Sequence, residues 1–400
     1  MFKKYLGPII FLVLSQNFVF SQTKIKTGEL TGAELNPVES AVPFLTIAPD
    51  SRSGAMGDAG VATTPDINSM HWNPSKYAFI ENDGGGAFSY TPWLRNLVGD
   101  IDLAYLTGYK RLDKDQVIAG SLLYFALGDI QLTDDNGSYI NTARPNEFSF
   151  DLAYARKFGE KFSGSLAFRF IHSDLSNGIS VGGTTTKAAN AFAGDVSMYY
   201  QNDISLSDRD AKIAVGLDIS NMGTKISYTN DETNKDFLPT NLRLGASLTM
   251  NLDDYNSLMV TTDLNKLLVP TRPIYYADST DAQGQKVIQY GMDPDVSVVQ
   301  GMIQSFYDAP GGFKEEIREI TYSIGTEYWY RKQFAIRAGY FHENQYKGNR
   351  KYFTMGLGLR LNVFGIDFSY LVPTQSNNPL ANTLRFTLLF DFNAFRKLKS

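Results

Sequence analysis

From Gly84 onward, apolar and polar residues alternate with a period of two along most of the chain, the pattern of strands that bury one face in an apolar phase. Near the end, Leu384, Phe386, Leu388, Phe390 and Phe392 alternate with Arg385, Thr387, Leu389, Asp391 and Asn393. Phe353, Met355, Leu357, Leu359 and Leu361 alternate with Thr354, Gly356, Gly358, Arg360 and Asn362, and the run from Leu242 to Asn251 behaves alike. Between Ile320 and Tyr330 the outward positions include Tyr322, Tyr328 and Tyr330, where an interfacial girdle would lie. Polar residues and Gly then face a lumen. The pattern predicts fourteen strands, near 85–91, 100–111, 116–128, 147–158, 161–172, 191–201, 212–220, 239–251, 255–264, 319–330, 333–342, 352–362, 364–371 and 384–392. An even number lets a barrel start and end on one side of a membrane.

The connections carry more weight than any single strand. Those after the even-numbered strands are short or fairly short: LDKD, GE, residues 202–211, LDD, RK and Val363. Those after the third, fifth, seventh and ninth strands are long: 129–146, 173–190, 221–238 and 265–318. Alternation of short turns with long loops is how periplasmic turns alternate with extracellular loops in outer-membrane barrels. A soluble β-sandwich shares the period of two but has less reason to gather its long loops at one end.

Upstream lies a stretch of another character, FLTIAPDSRSGAMGDAGVATTPDINSMHWNPSKYAFI, residues 44–80. Gly54, Ala55, Gly57, Ala59, Gly60 and Ala62 permit close backbone approach and tight turns, but they make a weak core by themselves. The stretch reads as a plug, and a barrel of about fourteen strands is too wide to be filled by its own side chains. Gly84-Gly85-Gly86 lacks the following Lys-Ser/Thr of a phosphate loop and reads as a flexible join between plug and barrel. Before the plug, Lys3 and Lys4, the apolar run 6–20 and Val19-Phe20-Ser21 form an export signal with cleavage expected after Ser21. Pro8, Ser15, Gln16 and Asn17 break that run, which argues against a membrane anchor. The expected organisation is a signal peptide at 1–21, a periplasmic tail and plug at 22–83, and a barrel at 84–400.

Composition narrows the chemistry. With 27 Phe and 23 Tyr the chain is unlike a disordered one, and its negative mean hydropathy of -0.22 suits alternating lipid-facing and lumen-facing residues. The absence of Cys excludes disulfides, thiolate metal sites, a Cys nucleophile and a lipid anchor on Cys. A net charge of -5 argues against a nucleic-acid partner.

Catalytic and metal-binding patterns find little support. His71, His172 and His342 stand apart, and His172-Ser173-Asp174 are strand neighbours, whose side chains point to opposite faces. Asp134-Asp135-Asn136-Gly137 looks like part of a calcium loop, but the required register puts Leu132 and Ala143 where carboxylates are needed. No cofactor or metal site is expected. The connection 265–318 differs from an ordinary solvated loop: Leu267, Leu268, Tyr275, Tyr276, Val299, Phe306 and Tyr307 are among its many apolar residues. It either folds over the barrel mouth as a lid or offers an apolar surface to a partner, and the spacing over 296–307 predicts a short helix.

Arg52, Gly54, Met56-Gly57, Gly60-Val61-Ala62 and Trp72-Asn73-Pro74, with the export signal and the strand count, resemble the PorV family of the type IX secretion system. A similar Asn-Pro segment occurs in the wider FadL-like family of fatty-acid channels, where Ala usually follows Pro; here it is Ser75. The resemblance covers nearly the whole chain, though its sharp motif lies only in the plug. It implies an all-β, about 14-stranded antiparallel transmembrane barrel with an N-terminal plug (FadL-like), in the outer membrane of a Gram-negative cell. It also implies a non-enzymatic shuttle among outer-membrane lipid. Such a protein binds the SprA/Sov-type translocon barrel, accepts cargo with a C-terminal signal domain and delivers it to a PorU-type sortase. The alternative is a FadL-like channel for long-chain fatty acids or other hydrophobic small molecules. An enzyme acting on lipopolysaccharide, a role attached to relatives, lacks a nucleophile, base and oxyanion set here.

Overall fold

The computed structural model describes residues 35–393, except 96, 134–135, 137, 176–179, 182–183, 207, 230–234 and 376–377. The expected signal peptide, residues 22–34 of the tail and the Asp134-Asp135-Gly137 motif lie outside the described residues. From Asn36 on, the described residues make one compact unit. No described helix is long and apolar enough to cross a membrane, which says nothing about strands.

Fourteen antiparallel strands close into a barrel. They are β1 (Gly84–Pro92), β2 (Asp102–Arg111), β3 (Gln116–Ala126), β4 (Asn146–Lys157), β5 (Phe162–Asp174), β6 (Ala189–Leu206) and β7 (Arg209–Gly223). Then follow β8 (Asn241–Asn251), β9 (Asn256–Leu267), β10 (Thr321–Tyr330), β11 (Phe334–His342), β12 (Lys351–Arg360), β13 (Phe364–Pro373) and β14 (Leu384–Asp391). Each pairs with its sequence neighbour, and β14 closes on β1 with Gly85 opposite Asp391 and Tyr90 opposite Phe386. Closure leaves no unpaired edge, the condition for a sheet to span hydrocarbon.

The burial pattern follows the period of two. On β14, Arg385, Thr387 and Leu389 are buried toward the lumen while Phe386, Leu388 and Phe390 are exposed outside; on β12, Thr354 is buried while Phe353, Met355, Leu357 and Leu359 face out. In a membrane this outer face meets lipid, so its apolar exposure is the stable arrangement.

Two local expectations are corrected. The connection expected at 202–211 is mostly strand: β6 and β7 stay paired from Asp203 opposite Lys212 to Leu206 opposite Arg209. Their sequence hid the strands because Asn202, Asp203, Ser205, Asp210 and Lys212 interrupt the alternation of large apolar residues that marks the other strands. Nor is Gly84-Gly85-Gly86 a flexible join. Its residues pair with Lys110, Tyr109 and Gly108 on one side, and Gly85 and Gly86 pair with Asp391 and Phe390 on the other, so the triplet is ladder-bonded at the seam.

Residues 50–80 fill the lumen. Asp50 caps the turn Ser51–Gly54 by accepting from the Ser53 N–H at 2.9 Å, and Asn73 caps Pro74–Phe79 by accepting from the Ser75 N–H at 3.1 Å. Met70, Tyr77 and Ala78 pack with Tyr109, Val117, Ala153 and Ala155 of the wall. Above them, Phe44 and Leu45 join Leu103, Leu123, Phe125 and Ile171. The stretch that makes a weak core alone thus shares one with the barrel.

The tail is the third correction. Asn36 lies among the long loops, not the short turns: its N–H donates to the Tyr346 carbonyl at 3.0 Å, and the Ala41 N–H donates to the Phe237 carbonyl at 2.9 Å. The polar sequence there carries no signal of side, so its placement before a periplasmic plug rested on chain order alone.

Candidate functional site

Two assemblies concentrate the unusual chemistry: the seating of the plug, and the surface above the long-loop mouth.

The plug is held by a buried charge network. Arg52 donates from Nε and Nη2 to Glu327 of β10 at 2.9 and 2.7 Å, and from Nη1 to Asp66 at 2.9 Å. Glu327 also accepts from Arg337 of β11 at 2.6 Å, Arg337 donates to Asp367 of β13 at 2.8 Å, and Arg360 donates to both Asp367 oxygens. Sharing each charge among several donors offsets the cost of taking it out of water. On β9, Asp263 accepts from the Gly60 and Val61 N–H groups at 2.7 and 2.9 Å. Arg243 of β8 donates to the His71 carbonyl at 2.6 Å.

Glycines on both sides bring the backbones together. A Cβ on wall residue Gly339 would stand 2.1 Å from the Met56 carbonyl carbon, and one on Gly325 would stand 2.5 Å from the Met56 Cβ. From the plug, a Cβ on Gly57, whose φ is +69°, would stand 2.5 Å from the Tyr340 carbonyl oxygen; within the plug, Gly60 makes room for the Trp72 ring. Gly54 lies under the Arg385 side chain. Trp72 donates from Nε1 to Asp50 at 2.6 Å, and Asn73 donates to the Val61 and Met198 carbonyls. Every motif residue named from the sequence, Arg52, Gly54, Met56, Gly57, Gly60, Trp72, Asn73 and Pro74, is therefore at the plug's own turns or at its contacts with the wall.

Burial shifts the plug's titrating groups. Lys76 donates to the Gly60 carbonyl and the Thr63 hydroxyl at 2.6 and 3.0 Å, and desolvation lowers its pKa to about 8. Desolvation, with Asp66 nearby, pushes the Asp50 carboxyl up to about 6. His71 is held well below its ordinary value by desolvation and then by Arg243. His172 and Ser173 point apart: His172 meets Asn190, whereas the Ser173 hydroxyl donates to Glu147 inside. Among the described residues, no group of three His, Asp or Glu is placed to hold a metal.

The long connection 268–320 folds into a hairpin (Ile274–Thr280 with Lys286–Tyr290) and two short helices, Val298–Gln304 and Phe313–Arg318. Its base is pinned by ions. Lys266 donates to Glu316 and Glu319 at 3.0 and 2.6 Å, and Lys347 donates to Glu315 and Glu319 at 2.5 and 2.9 Å. Ser297 caps the first helix, and Gly301 sets that helix down on Phe237 and Pro270. The opposite face is bare: Val299, Ile303, Phe306 and Tyr307 are 68, 60, 49 and 59 % exposed. Phe313, 79 % exposed, adds to the apolar surface of the loop. Tyr276 is exposed and Tyr275 half-buried in the hairpin. Leu268 is corrected: it is buried, with its N–H on the Thr240 carbonyl, because it continues the barrel wall rather than the loop surface. Leu267 ends β9 and is half-buried.

Sequence reading missed Glu327, Asp263 and Arg243 as plug receptors, since a charged inward residue looks the same whether it faces water or a plug. It also missed Phe313, whose neighbours Lys314, Glu315 and Glu316 masked it as a solvated turn.

A closed fourteen-strand barrel with a lipid-compatible outer face, no free edge and a plug in its lumen defines an outer-membrane β-barrel. A family model described as type IX secretion system protein PorV matches residues 31–274, more than half of the chain. The chain belongs to the PorV family, and it is an outer-membrane component of the type IX secretion system. Among solved structures, it resembles the Pseudomonas putida toluene transporter TodX (10% identity, 85% of this chain and 97% of that chain, TM-score 0.48). It also resembles the Ralstonia pickettii toluene transporter TbuX (11%, 86% and 96%, TM-score 0.43) and a Pseudomonas aeruginosa FadL homologue (11%, 90% and 100%, TM-score 0.40). No curated protein matches the chain.

Proposed function

We propose that this outer-membrane component works by docking a protein partner on the apolar surface above its long-loop mouth. The observation that carries the reading is the helix Val298–Gln304, with Val299 and Ile303 on one bare face continued by Phe306 and Tyr307, set on a base that buried ion pairs hold still. Four large apolar side chains kept in water by a rigid support are an arrangement for recognition rather than for folding. The partners that fit a secretion component are the SprA/Sov-type translocon barrel, cargo with the C-terminal signal domain, and the PorU-type sortase that receives it. Transport rather than catalysis is the activity.

The test replaces Val299, Ile303 and Tyr307 together by Asp in a strain whose only copy is the variant. The expected result is a barrel that still reaches the outer membrane and migrates as a compact species, no longer co-purifies with the translocon barrel, and leaves cargo unsecreted. Secretion and co-purification at the wild-type level would remove the docking reading.

A further inference from the structure

The first described residues and the end of the plug lie at opposite mouths of the barrel. Asn36 is bonded to Tyr346, and its side-chain amide donates to the Arg272 carbonyl and to Glu315, both at 3.1 Å; Arg272 and Glu315 belong to the longest loop, and Tyr346 to the β11–β12 connection at the same mouth. At the other end, the Asp83 carbonyl accepts from the Arg111 N–H at 2.8 Å and Asn82 donates to Asp391 at 2.7 Å, both beside the short turns. The chain thus passes through its own barrel from the long-loop mouth to the short-turn mouth before building the wall.

Between those points it is fastened round the circumference. The Ser51 N–H and hydroxyl meet Thr387 of β14, the Gly57 N–H donates to Thr354 of β12, and the Ala62 carbonyl accepts from Ser247 of β8. The Ser75 N–H donates to Ser197 of β6, and its carbonyl accepts from Ser163 of β5. Together with Glu327 of β10 and Asp263 of β9, and with Met70 and Tyr77 packed on Tyr109 of β2, Val117 of β3 and Ala153 of β4, these contacts hold the plug on most sides of the wall. Withdrawal toward the short turns has to drag residues 36–48 through the lumen and leave buried charges unpaired.

We propose that the plug is a permanent bolt rather than a gate: the chain threads its barrel from the outer mouth inward, and the protein acts with its lumen shut, offering partners only its rim and wall. The functional half of this proposal rests on the secretion reading above; the threading half does not. Short turns face the periplasm in outer-membrane barrels, so residues 36–40, ahead of the buried Ala41, Val42, Phe44 and Leu45, are displayed at the cell surface.

The absence of Cys makes the test clean. Ser51 Oγ and Thr387 Oγ1 are 3.1 Å apart, within reach of a disulfide between replacement thiols. In a strain depending on the S51C/T387C variant, the expected result is secretion of C-terminal-domain cargo within twofold of wild type when the gel shows complete oxidation. A tenfold or greater loss on oxidation, restored by reductant, would mean that the plug must move and would overturn the bolt. Wild-type complementation is run first: if secretion does not depend on the protein, the secretion reading falls and with it the functional half. Threading is tested separately and does not depend on the double variant. A large PEG-maleimide should label Glu39→Cys on intact cells and Lys114→Cys only after the outer membrane is permeabilised. The reverse pattern would overturn the proposal.

Discussion

Arg52 and Glu327 are 275 residues apart in sequence and meet inside the barrel through two hydrogen bonds of 2.9 and 2.7 Å, joining the plug to the wall. Removing the guanidinium leaves Asp66 without its cation and Glu327 with Arg337 alone. Arg52→Ala is expected to cost about 3–5 kcal/mol. The readout is the temperature at which the compact species in detergent converts to the unfolded one on a gel. Arg52→Lys should recover only part of the loss, because an ammonium cannot reproduce the two-pronged contact. A variant that melts with the wild type would show that the network contributes no stability.

Much of the barrel was legible because its solvent is apolar on one side and polar on the other, which imposes the period of two directly on the sequence. Leu384 to Asp391 reads as a strand without any knowledge of its neighbours. The plug motif was legible as a motif, since Gly57 and Asn73 stand where turns demand them, but not as a set of contacts. Nothing at Glu327 or Asp263 distinguishes a residue facing lumen water from one holding the plug. The side on which the tail lies was illegible for a similar reason, because residues 36–43 carry no long apolar or charged pattern and take their place from Tyr346, Arg272 and Phe237, far away in the chain.

Inward and outward glycines of the wall should behave differently. At Gly339 an added Cβ would stand 2.1 Å from plug backbone that cannot give way, so Gly339→Val is expected to unseat the plug. Gly86 faces the membrane, where an added Cβ has no neighbour nearer than 3.4 Å, and Gly86→Ala should be nearly silent. Conductance in planar bilayers checks this: stable open-lumen steps for the first variant and none for the second. Equal conductance would show that the wall glycines do not seat the plug.

Lys76 gives the plug a pH signature. Its folded pKa of about 8 lies below the ordinary 10.5, so the unfolded chain holds the extra proton between those values. Stability therefore rises with pH from about 8 to 10.5, by roughly 3 kcal/mol over the window. Asp50, raised from 3.8 to about 6, acts oppositely, and stability falls as pH rises from about 4 to 6. Urea titrations of the detergent-solubilised protein at pH 8 and 10 test the first slope. Lys76→Met should flatten it whatever its effect on stability at pH 7, and an unchanged slope would assign the dependence elsewhere.

Glu319 should govern how firmly the partner-facing loop is held. It accepts from Lys266 at 2.6 Å, from Lys347 at 2.9 Å and from the Thr271 hydroxyl at 2.7 Å, and all four groups are buried. Glu319→Ala leaves two ammonium groups facing each other with one carboxylate each, Glu316 and Glu315. A local loss of about 3 kcal/mol corresponds to roughly a hundredfold larger open population. The barrel strands, whose ladders do not pass through Glu319, should keep their stability. Amide hydrogen exchange separates the two: the helix Phe313–Arg318 should exchange about a hundredfold faster while β10 and β11 stay protected. Secretion should fall with the loop's order even though Val299, Ile303, Phe306 and Tyr307 are intact, because a partner then has to order the surface it binds. Faster exchange with undiminished secretion would separate the rigidity of the loop from its use.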